Sequence, residues 1–204
     1  MSPAPLARVA ALAIAAIAIA GLGTHFAALL ASAYSPLMAS WILLRYFTII
    51  TNLLVAGLFL AIAVSSRVRI APKLMGGTVL SIVLVGAVYA LLLSGQQELS
   101  GGSFVADILL HRVTPVAVPL FWLWRAPKGC FTWRDPFIWA LYPLGYFIYA
   151  LARGHLDGHY AYPFMDAALL GGPRTALNAA AIGAGFCVAG GIFLWVDRRL
   201  GRAA

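Results

Sequence analysis

Apolar residues in this chain run in long blocks, and short segments rich in Arg, Lys, Gly, Pro and Asp separate the blocks. A helix crossing a bilayer needs roughly 20 predominantly apolar residues. Six blocks answer to that description, at 6–32, 42–64, 75–94, 107–125, 136–152 and 176–196. The fourth opens on Asp107, His111 and Arg112, and the fifth is the shortest. Trp41, Trp124, Trp133 and Trp195 fall close to block ends, where an indole favours the membrane–water boundary. The pattern predicts an all-α polytopic membrane bundle of six transmembrane helices, in a single integral domain over residues 1–204.

Composition strengthens the membrane reading. Of 204 residues, 63% are apolar and 10% charged, and the mean hydropathy is +0.93. Soluble domains carry about 25% charged residues, and a soluble core of this size could not bury so much apolar surface. A net charge of +8 raises the question of nucleic acid. The basic residues, however, form no run interleaved with aromatics. They sit in short clusters between apolar blocks, as topology signals do, so no nucleic-acid partner is expected. Cys130 and Cys187 show neither a disulfide framework nor metal-ligand spacing. Leu30-Ala31-Ser32-Ala33 resembles a signal-peptidase site, but the apolar stretch before it is longer than a signal core, so the first block is kept as a helix.

Lys and Arg set the orientation. Arg8, Arg67, Arg69, Lys73, Arg125, Lys128, Arg134, Arg198, Arg199 and Arg202 lie on the side of the two termini and the 2–3 and 4–5 loops. The other side holds only Arg45, Arg112, Arg153 and Arg174. Both termini are therefore expected to be cytoplasmic. The polar side chains then gather in the outer halves of the spans: His25, Thr48, Thr51, Asn52, His111, Thr114, Tyr146, Tyr149 and Asn178. The 5–6 loop adds His155, Asp157, His159, Tyr162 and Asp166.

Spacing groups these residues. Arg45, Thr48 and Asn52 make one stripe on the second helix; Asp107, His111 and Thr114 make another on the fourth. Tyr142, Tyr146, Tyr149 and Arg153 line one face of the fifth. Polar groups facing hydrocarbon are costly, so the stripes should turn inward around a polar cavity open to the outer leaflet or outer water. Pro115 predicts a kink just below His111 that frees the carbonyl one turn earlier. Each residue also has a plainer use. A membrane Thr bonds its i−4 carbonyl, an Asn joins helices, and a Tyr or His sits at the interface. The convergence is what points to a site.

An imidazole suits general-base work near neutral pH, and a Thr hydroxyl needs such a base to act as a nucleophile. Thr48 and His111 form a minimal pair at matched depth. Asn52, Arg112 or a Tyr hydroxyl could donate to an oxyanion, and Asp107, one turn above His111, could orient the imidazole. Neither a GxSxG elbow nor an HExxH pair occurs. His155-Leu156-Asp157-Gly158-His159 lacks a third, separated ligand, so no metal is assigned. Two other classes stay open. His25 and His111 could be axial haem ligands in a redox module. A binding or transport protein could hold a ligand in the cavity without cutting it, although ion-coupled transport usually needs a charged residue at mid-membrane.

Three motifs in order carry a resemblance. The second block reads Arg45-Tyr46-Phe47-Thr48-Ile49-Ile50-Thr51-Asn52-Leu53. The fourth reads Leu109-Leu110-His111-Arg112-Val113-Thr114-Pro115, followed by Pro119, and the last loop reads Gly158-His159-Tyr160-Ala161-Tyr162-Pro163-Phe164-Met165-Asp166. Together they resemble the androgen-induced and androgen-dependent membrane protein family, most closely its small bacterial branch. The resemblance covers most of the chain and implies six helices and an atypical threonine hydrolase acting on fatty acid esters of hydroxy fatty acids. It implies Thr48 as nucleophile and His111 as base. Thr51 offers a competing hydroxyl one turn deeper, and Thr114-Pro115 departs from the animal pattern.

The expectation is a threonine-type carboxylic ester hydrolase in a bacterial inner membrane. Thr48 and His111 would be catalytic, with Asn52, Thr51, Asp107, Tyr146, Tyr149, Tyr162, Asp166 and Asn178 supporting them or binding substrate. Membrane lipids and a lipid-like ester are the expected partners, with no cofactor.

Overall fold

A computed structural model of the chain describes residues 5–64, 71–95 and 98–202, and among these every regular element is helical. In chain order the α-helices are α1 (Pro5–Ala31), α2 (Pro36–Leu43), α3 (Phe47–Val64), α4 (Pro72–Val88), α5 (Gly101–Ile108), α6 (Thr114–Arg125), α7 (Asp135–Asp157), α8 (Ala167–Leu170) and α9 (Gly172–Gly201). A π-helical turn, Tyr89–Leu93, prolongs α4, and a second, Leu109–Val113, joins α5 to α6. Five segments are long and apolar enough to cross a membrane: Pro5–Ala31, Phe47–Val64, Pro72–Leu93, Gly101–Arg125 and Gly172–Gly201. α7 has the length, 23 residues, or about 35 Å, but Pro136, Pro143, Arg153 and interleaved tyrosines dilute its apolar content. Arg67 and Arg69, which entered the charge count, lie outside the described residues.

The second apolar block is not one helix, which corrects the expectation for 42–64. α2 ends at Leu43 and α3 starts at Phe47. Leu44 closes α2, its N–H bonding the carbonyls of Ile42 and Ser40. Arg45 therefore stands in a turn before α3, and the stripe Arg45–Thr48–Asn52 loses its first member. Thr48 becomes the second residue of a helix.

The described chain forms two compact units. One runs through Leu44 and resumes over Thr48–Ala126; the other comprises Arg45–Phe47 and the chain from Pro127 onward. In the first unit α1 packs along α5 and α6, and α4 along α6. α3 is the most enclosed of the five long segments; Thr51, Asn52, Val55 and Phe59 are fully buried. Two glycines set close approaches. A Cβ on Gly21 would stand 2.6 Å from Leu110 Cδ2, and one on Gly86 would stand 2.7 Å from Pro115 Cβ.

The second unit is built on α7 against α9. Phe131, Trp139 and Phe193 stack at one end, with Phe131 edge-on to Trp139 at 5.0 Å. There the Asp197 side chain accepts the Phe131 N–H at 3.1 Å, and its carbonyl accepts the Gly129 N–H at 3.2 Å. Burial pushes the neighbouring Lys128 ammonium below its usual value, with the Asp197 charge acting the other way. At the far end of α7, Arg45–Phe47 is held by side chains. The Tyr146 hydroxyl donates to Arg45 O at 2.7 Å, the Tyr162 hydroxyl accepts the Phe47 N–H at 3.1 Å, and Phe47 lies 5.0 Å from the Tyr146 ring. Backbone groups that a continuous helix would have paired internally are thus satisfied from α7 and the loop after it.

Candidate active site

Two local irregularities position the site in the first unit. The break before α3 puts Thr48 in the first turn of a helix, where backbone N–H groups have no intrahelical acceptor and the helix dipole favours negative charge. The π turn at Leu109–Val113 widens the α5–α6 rod at His111. In that turn the Thr114 N–H bonds Leu109 O. The corresponding donor for Leu110 O would be residue 115, which is proline and has no N–H. The carbonyl freed by Pro115 is thus that of Leu110, and side chains take it.

Asn52 is central to that repair. Its Nδ2 donates to Leu110 O at 3.3 Å and to Thr48 O at 2.9 Å, while its Oδ1 accepts the Thr114 hydroxyl at 2.8 Å. Thr114 Oγ1 also lies 3.2 Å from Leu110 O, but a hydroxyl has one proton and the shorter contact fixes its direction. Asn52 has no exposure and both amide hydrogens are engaged. It locks α3 to the π turn and holds no donor in reserve for an oxyanion. The role left to it is support.

Thr48 and His111 meet across this lock. Thr48 Oγ1 is 3.2 Å from His111 Nε2. On the other side of the ring, His111 Nδ1 is 3.1 Å from Asp107 Oδ1, within ion-pair distance whenever the ring is protonated, though out of line for a hydrogen bond. A carboxylate there favours the proton on Nδ1 and leaves the Nε2 lone pair facing Thr48. Asp107 is itself held: Tyr89 donates its hydroxyl to Oδ2 at 2.6 Å, and Arg112 reaches the same oxygen at 3.9 Å and the Tyr89 hydroxyl at 3.1 Å. The Tyr89 ring also stacks on the imidazole, 4.4 Å between centroids and 17° between planes. Thr48 and Asp107 are buried, and the His111 side chain is 20% exposed. The three side chains stand in the order hydroxyl, imidazole, carboxylate.

The remaining sequence candidates fall into two groups. Thr51 is fully buried on α3. Tyr146, Tyr149, Tyr162, Asp166 and Asn178 belong to the second unit. Tyr146 and Tyr162 hold the 45–47 turn, Tyr149 accepts from Arg153 at 3.0 Å, Asp166 caps α8 through the Leu169 N–H, and Asn178 donates to Phe164 O at 2.8 Å. Among the described residues no group of three or more His, Cys, Asp or Glu is arranged to hold a metal ion. A haem iron bound at His111 would have to displace Thr48 or Asp107, because each ring nitrogen already faces one of them. Tyr89 was not among the candidates. Its position at the end of the third apolar block was the available signal; the structure stacks it on His111 from the start of the π turn Tyr89–Leu93. No protein-family model, no curated protein and no solved structure matches the chain.

Proposed function

We propose that the protein is a membrane-embedded hydrolase of lipid-like esters, with Thr48 as nucleophile and His111 as general base. The observation that carries this reading is the imidazole placed between the Thr48 hydroxyl, at 3.2 Å, and the Asp107 carboxylate, at 3.1 Å. The Thr48 oxygen attacks the ester carbonyl as its proton passes to Nε2. The tetrahedral intermediate collapses, the alcohol leaves with that proton, and Thr48 is acylated. His111 then takes a proton from water, the hydroxide attacks the acyl-enzyme, and the acid departs as Thr48 recovers its proton. Asp107 stabilises the imidazolium, and the N-terminal end of the α3 dipole favours negative charge developing beside Thr48.

A greasy ester partitions into the leaflet, which suits a pair carried on apolar helices. The resemblance to the androgen-induced and androgen-dependent membrane hydrolases supports the same pair. In this reading α7 is a sixth span and both termini are cytoplasmic in a bacterial inner membrane. The bond between Gly129 and Asp197 supports that topology, because it puts Lys128 at the same end of the second unit as Arg198 and Arg199. Reporter fusions after Lys128 and after Arg202 should both read cytoplasmic, and an outside reading for either would refute the six-span topology. The chemistry is tested by turnover of a long-chain p-nitrophenyl ester by detergent-purified protein. Wild type should hydrolyse it, and Thr48→Ala should be reduced to background.

A further inference from the structure

The segment before α7 is fastened to the last turns of α9. Asp197 takes the Phe131 N–H through its side chain and the Gly129 N–H through its carbonyl. A Cβ on Gly201 would stand 2.6 Å from Gly129 Cα, so the two backbones touch. This contact brings Arg134, which precedes α7, to the same end of the second unit as Arg198, Arg199 and Arg202, which close α9. All four side chains are exposed, and none forms an ion pair among the described residues. The carboxylates of this region, Asp135 and Asp197, have no exposure and accept the N–H groups of Thr132 and Phe131. The surface that remains is cationic.

The helix dipole accounts for part of this charge. Arg198 and Arg199 sit in the last turn of α9, where a cation is favoured. Arg134 is the N-cap of α7, where the dipole disfavours one, so its charge answers to something outside the helix. Its guanidinium lies over the Trp133 ring, 5.2 Å from the centroid, and that of Arg199 lies over Trp195 at 5.3 Å. Both indoles are exposed. An exposed indole at the end of a membrane-length helix such as α9 rests at head-group depth. A guanidinium stacked on it is held at the level of the lipid phosphates, whose paired oxygens an arginine fork matches.

We propose that this end of the second unit binds anionic phospholipid head groups, whose phosphates meet Arg134, Arg198, Arg199 and Arg202 above the Trp133 and Trp195 rings. The test uses no ester and places its probe in both leaflets, so its outcome is independent of the hydrolase reading and of orientation. The full chain is reconstituted in phosphatidylcholine bilayers, and tryptophan fluorescence is followed as brominated phosphatidylglycerol, a quencher, replaces unbrominated lipid. Brominated phosphatidylcholine is the reference. The part of the quenching that disappears in Trp133→Phe/Trp195→Phe reports this surface. There phosphatidylglycerol should be preferred about fivefold or more, the scale of one arginine beside an anionic membrane surface. Arg134→Gln/Arg199→Gln should bring the two lipids to parity. Should that variant fail to fold, the unsubstituted chain is tested with brominated ethylphosphatidylcholine, a cationic lipid, which should bind more weakly than phosphatidylcholine. Equal binding of the three lipids at this surface, or an unchanged preference in folded Arg134→Gln/Arg199→Gln, overturns the proposal. Loss of the preference to inorganic phosphate, and not to sodium chloride of equal ionic strength, overturns its assignment to lipid.

Discussion

Replacing Asn52 by Leu removes three hydrogen bonds at once from a fully buried position: those to Thr48 O, Leu110 O and the Thr114 hydroxyl. Hydrogen bonds between membrane helices contribute about 0.6 kcal/mol on average and up to about 1.7. The substitution should therefore cost about 2 to 4 kcal/mol, the upper end applying where Leu110 O is left unsatisfied. Thr114→Val removes one of the same bonds and should cost about 1 to 2 kcal/mol. The pair shares the 2.8 Å contact, so the double variant should cost less than the two singles together, by about 0.6 to 1.7 kcal/mol. Thr114 can also turn to Leu110 O when Asn52 is absent, which lowers the single Asn52 cost without changing the sign of the coupling. Unfolding in mixed micelles with increasing SDS, followed by circular dichroism, measures all three. Additive losses, or an Asn52→Leu protein as stable as wild type, would refute the claim that this residue locks α3 to the π turn.

Asp107→Asn keeps the size of the side chain and an acceptor for Tyr89 but removes the charge beside Nδ1. Ester turnover should fall about 10²- to 10⁴-fold in kcat, as when a triad carboxylate is neutralised, and unchanged kcat in folded protein would remove Asp107 from the mechanism. Gly86→Ala places a methyl 2.7 Å from Pro115 Cβ, so α4 must move away from α6. Overpacking of this kind costs about 1 to 3 kcal/mol, and a thermal midpoint at or above that of wild type would contradict the close approach.

The membrane-helix class was legible because apolar blocks report burial in lipid whatever their neighbours are. The same property hid the break at Arg45. Leu43, Leu44, Tyr46 and Phe47 carry no Gly or Pro to end a helix, and the break is supported by the distant Tyr146 and Tyr162 hydroxyls. Thr48 was legible by residue type; its place at a helix start was not. The pairing of Asp107 with His111 followed from i,i+4 spacing, and Pro115 marked the backbone irregularity, though the freed carbonyl depends on the π register. Tyr89 lay beyond reach for the opposite reason. Nothing local to a tyrosine at a block end says that it will stack on an imidazole 22 positions on. Tyr146 and Tyr149 were grouped with the outer polar residues by depth and placed with Arg153 on one helix face by spacing; their hydroxyls serve the Arg45 carbonyl and the Arg153 guanidinium.

The central claim is that the Thr48 oxygen is the nucleophile and His111 is what activates it. The most direct measurement treats the purified protein with a fluorophosphonate probe and locates the adduct by peptide mass spectrometry. The account predicts a modified Thr48 in wild type and in Thr51→Ala, and no labelling above background in Thr48→Ala or His111→Ala. An adduct that persists in both Thr48→Ala and His111→Ala, each folded, would contradict it.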